Sequence, residues 1–206
     1  MRIAKGCWPL VTGPLFLSIL FLGLSWFSLW FVSFFIPAFC VLVFFLIFFR
    51  DPERVIGEGI IAPADGKIRD IKQEDNLCLI SIFMEVNNVH VNRMPLDGRI
   101  TNMTHFPGYH LRAWKKESDL NERVKITIDT AIGQVTVVQI AGLIARRIYP
   151  YIKEGDVLKK GDRIGIIRFG SRVDVNLPAD QIQSIPVKVG DPVKAGQDTI
   201  AFLKQK

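Results

Sequence analysis

The amino-acid sequence predicts a mainly β domain, a sandwich or barrel, behind an N-terminal α-helical membrane hairpin. Three observations predict it. Residues 10–49 form a run of 40 without one Asp, Glu, Lys, Arg or His. Beyond residue 55, short segments rich in Ile and Val alternate apolar with polar residues. Turn signals such as Asp65-Gly66, Asp97-Gly98 and Gly161-Asp162 recur between those segments at close intervals.

The uncharged run comes first. A helix needs about 20 apolar residues to cross a bilayer, so 40 suit two spans better than one. Tryptophan prefers the membrane interface, which places the hairpin tip around Trp26 to Trp30. Arg2 and Lys5 precede the run, and Arg50 and Arg54 follow it. Positive flanks stay inside, so both ends and the domain that follows are expected on the cytoplasmic side of the cell membrane. The run is too long for a cleaved signal peptide and ends without a small-residue cleavage site. A shallow anchor that does not span stays open. The expected division is an anchor over residues 1–50 and a domain over residues 51–206.

Composition narrows the function classes. Cys7, Cys40 and Cys78 are widely spaced and form neither a disulfide framework nor a zinc pattern. The net charge of +6 suits anionic lipid headgroups, and the scattered basic residues and the anchor argue against nucleic acid. No P-loop, dinucleotide-binding glycine pattern or Gly-x-Ser-x-Gly elbow occurs, and no metal-ligand spacing.

In the domain, residues 66–71, 77–84, 99–106, 124–129 and 134–140 read as strands, and residues 143–149 as one brief helix. A weak internal repeat follows. IKEGDVLKKG (152–161) matches VKVGDPVKAG (187–196) position by position, and each copy precedes a strand, 164–169 and 199–203. The pattern resembles the barrel-sandwich hybrid of lipoyl and biotinyl carrier domains. Those carriers hold a modified lysine between the halves, and no lysine occurs between Arg163 and Val187 here, so a carrier function is not expected.

Candidate chemistry is sparse. His90 lies in an alternating segment, His105 in MTHFPG, and His110 in the polar stretch GYHLRAWKKESDLNER (108–123). A strand histidine is more often a packed residue than a catalytic one. The stretch around His110 reads either as a solvated loop or as a membrane-facing loop that guides an anionic headgroup. Asp65 sits on an Asp-Gly turn, a common dipeptide that says little alone. IRFGSRVDVNLP (167–178) is a strand interrupted by Gly170-Ser171, which reads by default as a hairpin.

Five motifs occur in order: FFRDPER (48–54), APADGKI (62–68), NNVHVNRMPLDG (87–98), NERVKITI (121–128) and FGSRVDVNLP (169–178). Together, behind an apolar run, they resemble the phosphatidylserine decarboxylase proenzymes, best the short microbial form.

The resemblance implies that Gly170-Ser171 is a self-cleavage site. Ser171 Oγ attacks the Gly170 carbonyl, an ester forms, and β-elimination frees the upstream chain. Hydrolysis of the dehydroalanine left at residue 171, with uptake of water and loss of ammonia, then gives a covalent pyruvoyl group, the only cofactor implied. The products are a β chain, residues 1–170, and an α chain, residues 171–206, held as a heterodimer, with any higher homo-oligomer open. The pyruvoyl keto group forms a Schiff base with the substrate amine and takes up the electrons released as CO2 leaves. The implied reaction converts phosphatidylserine to phosphatidylethanolamine. Archaetidylserine, its ether-lipid counterpart, is the alternative substrate, because the reacting carbon lies in the headgroup.

By the same resemblance, His90 serves decarboxylation and Asp65 helps activate Ser171. The family's longer members carry a second histidine three residues on, where this chain has Arg93, so the base for self-cleavage is left open between His90 alone and Asp65 with less help. From another class, a non-enzymatic membrane-anchored adaptor is weighed. Such adaptors carry a long heptad-bearing hairpin between the half-motifs, and residues 162–186 show no heptads.

Overall fold

Forty uncharged residues give a helix no polar face to turn toward water, and in the computed structural model these helices expose apolar side chains all round. The structure describes residues 2–74, 76–108, 121–142, 147–168 and 171–204. It divides into two compact units, Met1–Pro52 and Glu53–Lys206.

In the first unit, β1 (Arg2–Ile3) leads to α1 (Trp8–Leu24), a short turn, α2 (Val32–Phe48) and β2 (Arg50–Asp51). Phe21 of α1 stacks on Phe34 of α2, with ring centroids 5.5 Å apart. Phe16, Ile19, Phe34 and Ile36 are all more than half exposed, the pattern of a surface meant for lipid rather than water. The helical stretch Leu29–Phe48, 20 residues, is long and apolar enough to cross a membrane, whereas α1 has 17 residues. Trp26 and Trp30 lie at the connection, exposed at 91% and 81%. β1 pairs antiparallel with β2, Arg2 opposite Asp51, so both ends of the unit meet.

The second unit is mainly β. Its strands are β3 (Ile60–Ile61), β4 (Gly66–Glu74), β5 (Leu77–Met84), β6 (Val91–Arg93), β7 (Gly98–Phe106), β8 (Arg123–Thr130), β9 (Gly133–Ala141) and β10 (Ile148–Pro150). There follow β11 (Val157–Leu158), β12 (Arg163–Ile167), β13 (Ser171–Pro178), β14 (Ile182–Ser184), β15 (Pro192–Val193) and β16 (Thr199–Leu203). One eight-stranded sheet runs β11-β7-β8-β9-β13-β5-β4-β15, and two three-stranded sheets run β10-β12-β6 and β14-β16-β3. The sandwich-like arrangement matches the fold class expected from alternation, and the five expected long strands are present. The brief helix expected over 143–149 is corrected at its end: Ile148 and Tyr149 lie in β10, and residues 143–146 fall outside the described residues. The β-branched side chain of Ile148 and the aromatic ring of Tyr149 suit a pleated strand.

Alternation divides the large sheet into two faces. Cys78, Ile80, Ile82 and Met84 of β5 and Val173, Val175 and Leu177 of β13 fill the core. Their neighbours Ser81, Arg172, Asp174 and Asn176 turn to the other face, where they line a groove of about 790 Å³ with Arg69, Lys72 and Arg123.

The internal repeat extends further than IKEGDVLKKG and VKVGDPVKAG. Ala62 to Ile68 and Met94 to Ile100 occupy equivalent places. Gly155 N–H donates to Ile100 O at 2.8 Å, and Gly190 N–H donates to Ile68 O at 2.8 Å. Gly161 N–H donates to Met94 O and Gly196 N–H to Ala62 O, both at 2.9 Å. The halves also exchange bonds, Arg93 N–H to Pro63 O and Ile61 N–H to Pro95 O. Glycine is required at Gly66, where a Cβ would lie 2.2 Å from Phe83 O, and at Gly98, where it would lie 2.7 Å from Asp129 O. Two similar half-motifs thus clasp each other and set β6, with the residues around it, against the large sheet.

Candidate active site

Ser171 is the first residue of β13, a strand bonded on both sides. Its Cα is in register with Met84 of β5 and with Ala141 of β9. The side chain faces the core with 0% residue exposure, and Oγ donates to Met84 Sδ at 3.1 Å. A thioether is a weak acceptor, so the hydroxyl is held loosely. Gly170, the other half of the expected cleavage pair, lies outside the described residues, as does most of the expected headgroup-guiding loop around His110.

His90 is equally buried, at 0% exposure, and immediately precedes β6. Its backbone carbonyl accepts from Ile167 N–H at 3.3 Å, at the end of the strand that leads toward residue 170. Its Nδ1 lies 2.9 Å from Asn88 O. A carbonyl only accepts, so Nδ1 carries the proton and Nε2 carries the lone pair in the neutral ring. That is the tautomer of a general base.

Two buried carboxamides complete the polar cluster, and the motifs alone pointed to neither. Asn92 Nδ2 reaches Met84 Sδ at 3.6 Å, and Gln139 Nε2 donates to Asn92 Oδ1 at 2.7 Å. Asn92 and Gln139 are both 0% exposed. Asn92 lies within β6, two residues after His90. The one sequence signal for Gln139 is parity. It interrupts the inward row Val135, Val137, Ala141 of β9. Ser171, Met84, Asn92 and Gln139 therefore form one contact chain in an otherwise aliphatic interior.

Asp65 and Arg93 are engaged elsewhere. Asp65 Oδ1 accepts from Ala195 N–H at 2.7 Å, and Oδ2 pairs with Arg54 Nη2 at 2.9 Å. The equivalent residue of the other half-motif, Asp97, accepts from Lys160 N–H at 2.6 Å. Asp65 thus makes the same turn clamp as Asp97 and adds a nearly buried ion pair. Among the described residues, its hydrogen bonds and ion pair reach neither Ser171 nor His90. Only β5 separates the start of β4 from Ser171, two strand spacings or about 10 Å. Arg93 is 4% exposed and donates from Nη1 to Gly161 O at 3.0 Å, and a Cβ at Gly196 would meet its Cδ at 2.9 Å. It ties the two repeat copies together. His105, 3.1 Å from Glu122, is on an exposed edge.

No group of His, Cys, Asp and Glu suited to a metal occurs among the described residues. The buried residues offer a hydroxyl at Ser171, a lone-pair nitrogen at His90 and two amides, groups able to take part in acyl and proton transfer.

Comparison with known proteins identifies the family of the chain. The model of a family described as phosphatidylserine decarboxylase matches residues 41–201. A phosphatidylserine decarboxylase proenzyme of Streptomyces avermitilis is 49% identical over 153 residues, 73% of this chain and 70% of the relative. A Methanosarcina acetivorans protein, provisionally named an archaetidylserine decarboxylase proenzyme, is 44% identical over 208 residues, 98% of this chain and 97% of the relative.

Proposed function

The chain belongs to the phosphatidylserine decarboxylase family, and from that premise we propose that it decarboxylates the serine headgroup of a membrane phospholipid after cutting itself before Ser171. As a member of the family it is a decarboxylase, which sets the adaptor reading aside. Phosphatidylserine is the first substrate we assign, and archaetidylserine the second, because relatives named for each are similarly close.

The observation that carries the reading is the place of Ser171. It heads a central strand, fully buried, and connects through Met84 to the buried amides of Asn92 and Gln139. A pyruvoyl group fits there: a planar two-carbon keto unit is no larger than the serine it replaces, and Ala141 opposite leaves it room. Residue 171 would hold it covalently, and when formed it supplies an electron sink for the loss of CO2. The residues around it do the rest. β5 and β9 fix the strand, Met84 and the aliphatic core exclude water, and His90 Nε2 takes and returns protons. In this proposal Asp65 acts through the Arg54 pair and the Ala195 turn, not by touching Ser171.

The same register explains how the cut chains stay together. Residues 171–206 carry β13, β14, β15 and β16, which pair with β5, β9, β3 and β4. The heterodimer needs no disulfide, and the three cysteines are free. In the N-terminal unit we assign α1 and α2 to a membrane anchor, with the catalytic domain on the cytoplasmic side.

The test is the intact mass of the purified protein beside Ser171→Ala. Two chains split after residue 170, the smaller lighter by one NH3 than its serine-ended form, with a single uncut chain from Ser171→Ala, support the reading. A single uncut chain from a folded, active preparation overturns it. Release of CO2 from diacyl and dialkyl-ether serine lipids in matched micelles then separates the two substrates.

A further inference from the structure

Gln139 stands where the fold calls for an aliphatic side chain. Along β9 the inward positions are Val135, Val137, Gln139 and Ala141, all at 0% exposure. Gln139 is in register with Val173, and Ser171 with Ala141. Gln139 and Ser171 are therefore diagonal neighbours on one face, a separation of roughly 7–8 Å that a long side chain can cover. The orientation of the amide is set on one side. Nε2 donates to Asn92 Oδ1 at 2.7 Å, and Gly165 lies so close that a Cβ there would come within 3.1 Å of Nε2. With its nitrogen committed to Asn92, Gln139 presents Oε1 as its other polar atom. That oxygen is fully buried and accepts no hydrogen bond from any described residue.

Buried acceptors are nearly always satisfied, because leaving one without a donor forfeits its hydration with no return. A donor that arrives with a ligand resolves the cost. Beside residue 171 the decarboxylase reading requires a primary amine, and an amine brings N–H donors. We propose that Gln139 Oε1 receives an N–H of the substrate's amine next to residue 171, with Asn92 holding the amide in place. The choice of an amide is chemically apt. A carboxylate would hold the amine as ammonium, whereas a neutral oxygen orients it and leaves it able to give up a proton. This inference rests on the serine-lipid decarboxylase reading.

The experiment uses the matured full chain in detergent, with glycerophosphoserine as a soluble serine headgroup and cyanoborohydride as trap. The mass adduct on the small chain is followed against amine concentration. Borohydride alone, with no amine, reports in parallel whether the keto group at residue 171 is present. Gln139→Met, close in shape but without the acceptor, is expected to mature and to take up hydride from borohydride like the parent. Its half-saturating amine concentration should rise at least tenfold. Gln139→Asn, which withdraws the oxygen by one methylene, should show the same rise, and it carries the comparison if Gln139→Met does not mature.

Unchanged half-saturation with the keto group intact overturns the assignment to Gln139 alone. Folded variants that both fail to mature would move Gln139 to self-cleavage and also overturn it. A parent chain with neither cut nor keto group strikes the underlying reading instead, and takes this proposal with it.

Discussion

Ser171 and Met84 are register partners across β13 and β5, and the serine Oγ lies 3.1 Å from the methionine Sδ. Sulfur is a poor acceptor, so this contact packs the hydroxyl without tying it down. Met84→Leu conserves volume and is expected to cost about 1 kcal/mol or less in stability. It should leave self-cleavage within a few-fold of the parent, read from mass-spectrometric time courses. A folded Met84→Leu chain that does not cleave would make the sulfur part of the chemistry.

Asp65 and Asp97 allow an internal control. Both clamp a backbone N–H of the opposite repeat copy, but only Asp65 also faces a nearly buried guanidinium, that of Arg54. Removing one partner of a buried ion pair costs about 3 kcal/mol, whereas an amide can still accept the turn N–H. Asp65→Asn is expected to lower the melting temperature more than Asp97→Asn, and to slow self-cleavage while Asp97→Asn does not. Equal cleavage rates in the two variants would reduce Asp65 to a turn clamp.

Arg172, the residue after Ser171, faces the opposite side of the sheet. Arg172 Nη2 pairs with Asp174 Oδ2 at 2.9 Å, with side chains only 6% and 11% exposed. Arg172→Met alone is expected to cost about 1–3 kcal/mol, since it removes one charged partner of a largely buried carboxylate. Arg172→Met with Asp174→Leu should recover much of that loss in thermal melts. A double variant no better than the single one would show that the pair does not act as a unit.

Cys78 is buried in the core of β5, and burial pushes its thiol above the ordinary value of 9.0. A raised folded value means that the folded state holds the proton more tightly. The resulting stabilisation is complete below about pH 9 and is lost as pH rises through the folded value. Denaturant midpoints should fall above about pH 9, and Cys78→Ala should flatten that fall while lowering stability at neutral pH. Native Cys78 should also resist maleimide until the chain unfolds. An identical alkaline slope in Cys78→Ala would assign the fall to other groups.

Much of the architecture was legible before any coordinates. Alternation in LCLISIFM marks β5 because a strand with one buried face must repeat with period two. An uncharged run of 40 residues has no place in water, and it forms the apolar helices. The expected helix over 143–149 failed at Ile148 and Tyr149 because so short a segment fits helix and strand alike, and β10 gains its partner β12 only in the fold. Ordered motifs singled out Ser171 and His90, both of which the structure buries. They could not reveal Gln139, which is one glutamine among ordinary valines until register sets it diagonal to Ser171.

Local pattern, then, specified the fold class and the apolar helices, because periodicity is written along the chain, whereas the serine on which the proposed chemistry turns came from the family resemblance of motifs in order. Assignment of partners came from long-range pairing. Only the packed sheets placed Asp65 against Arg54 and Ala195, Arg93 against Gly161, and Asn92 between Met84 and Gln139. Three of those five contacts join residues 47 or more apart in sequence, so their energies belong to the register of strands and to the clasp of two half-motifs rather than to any one segment.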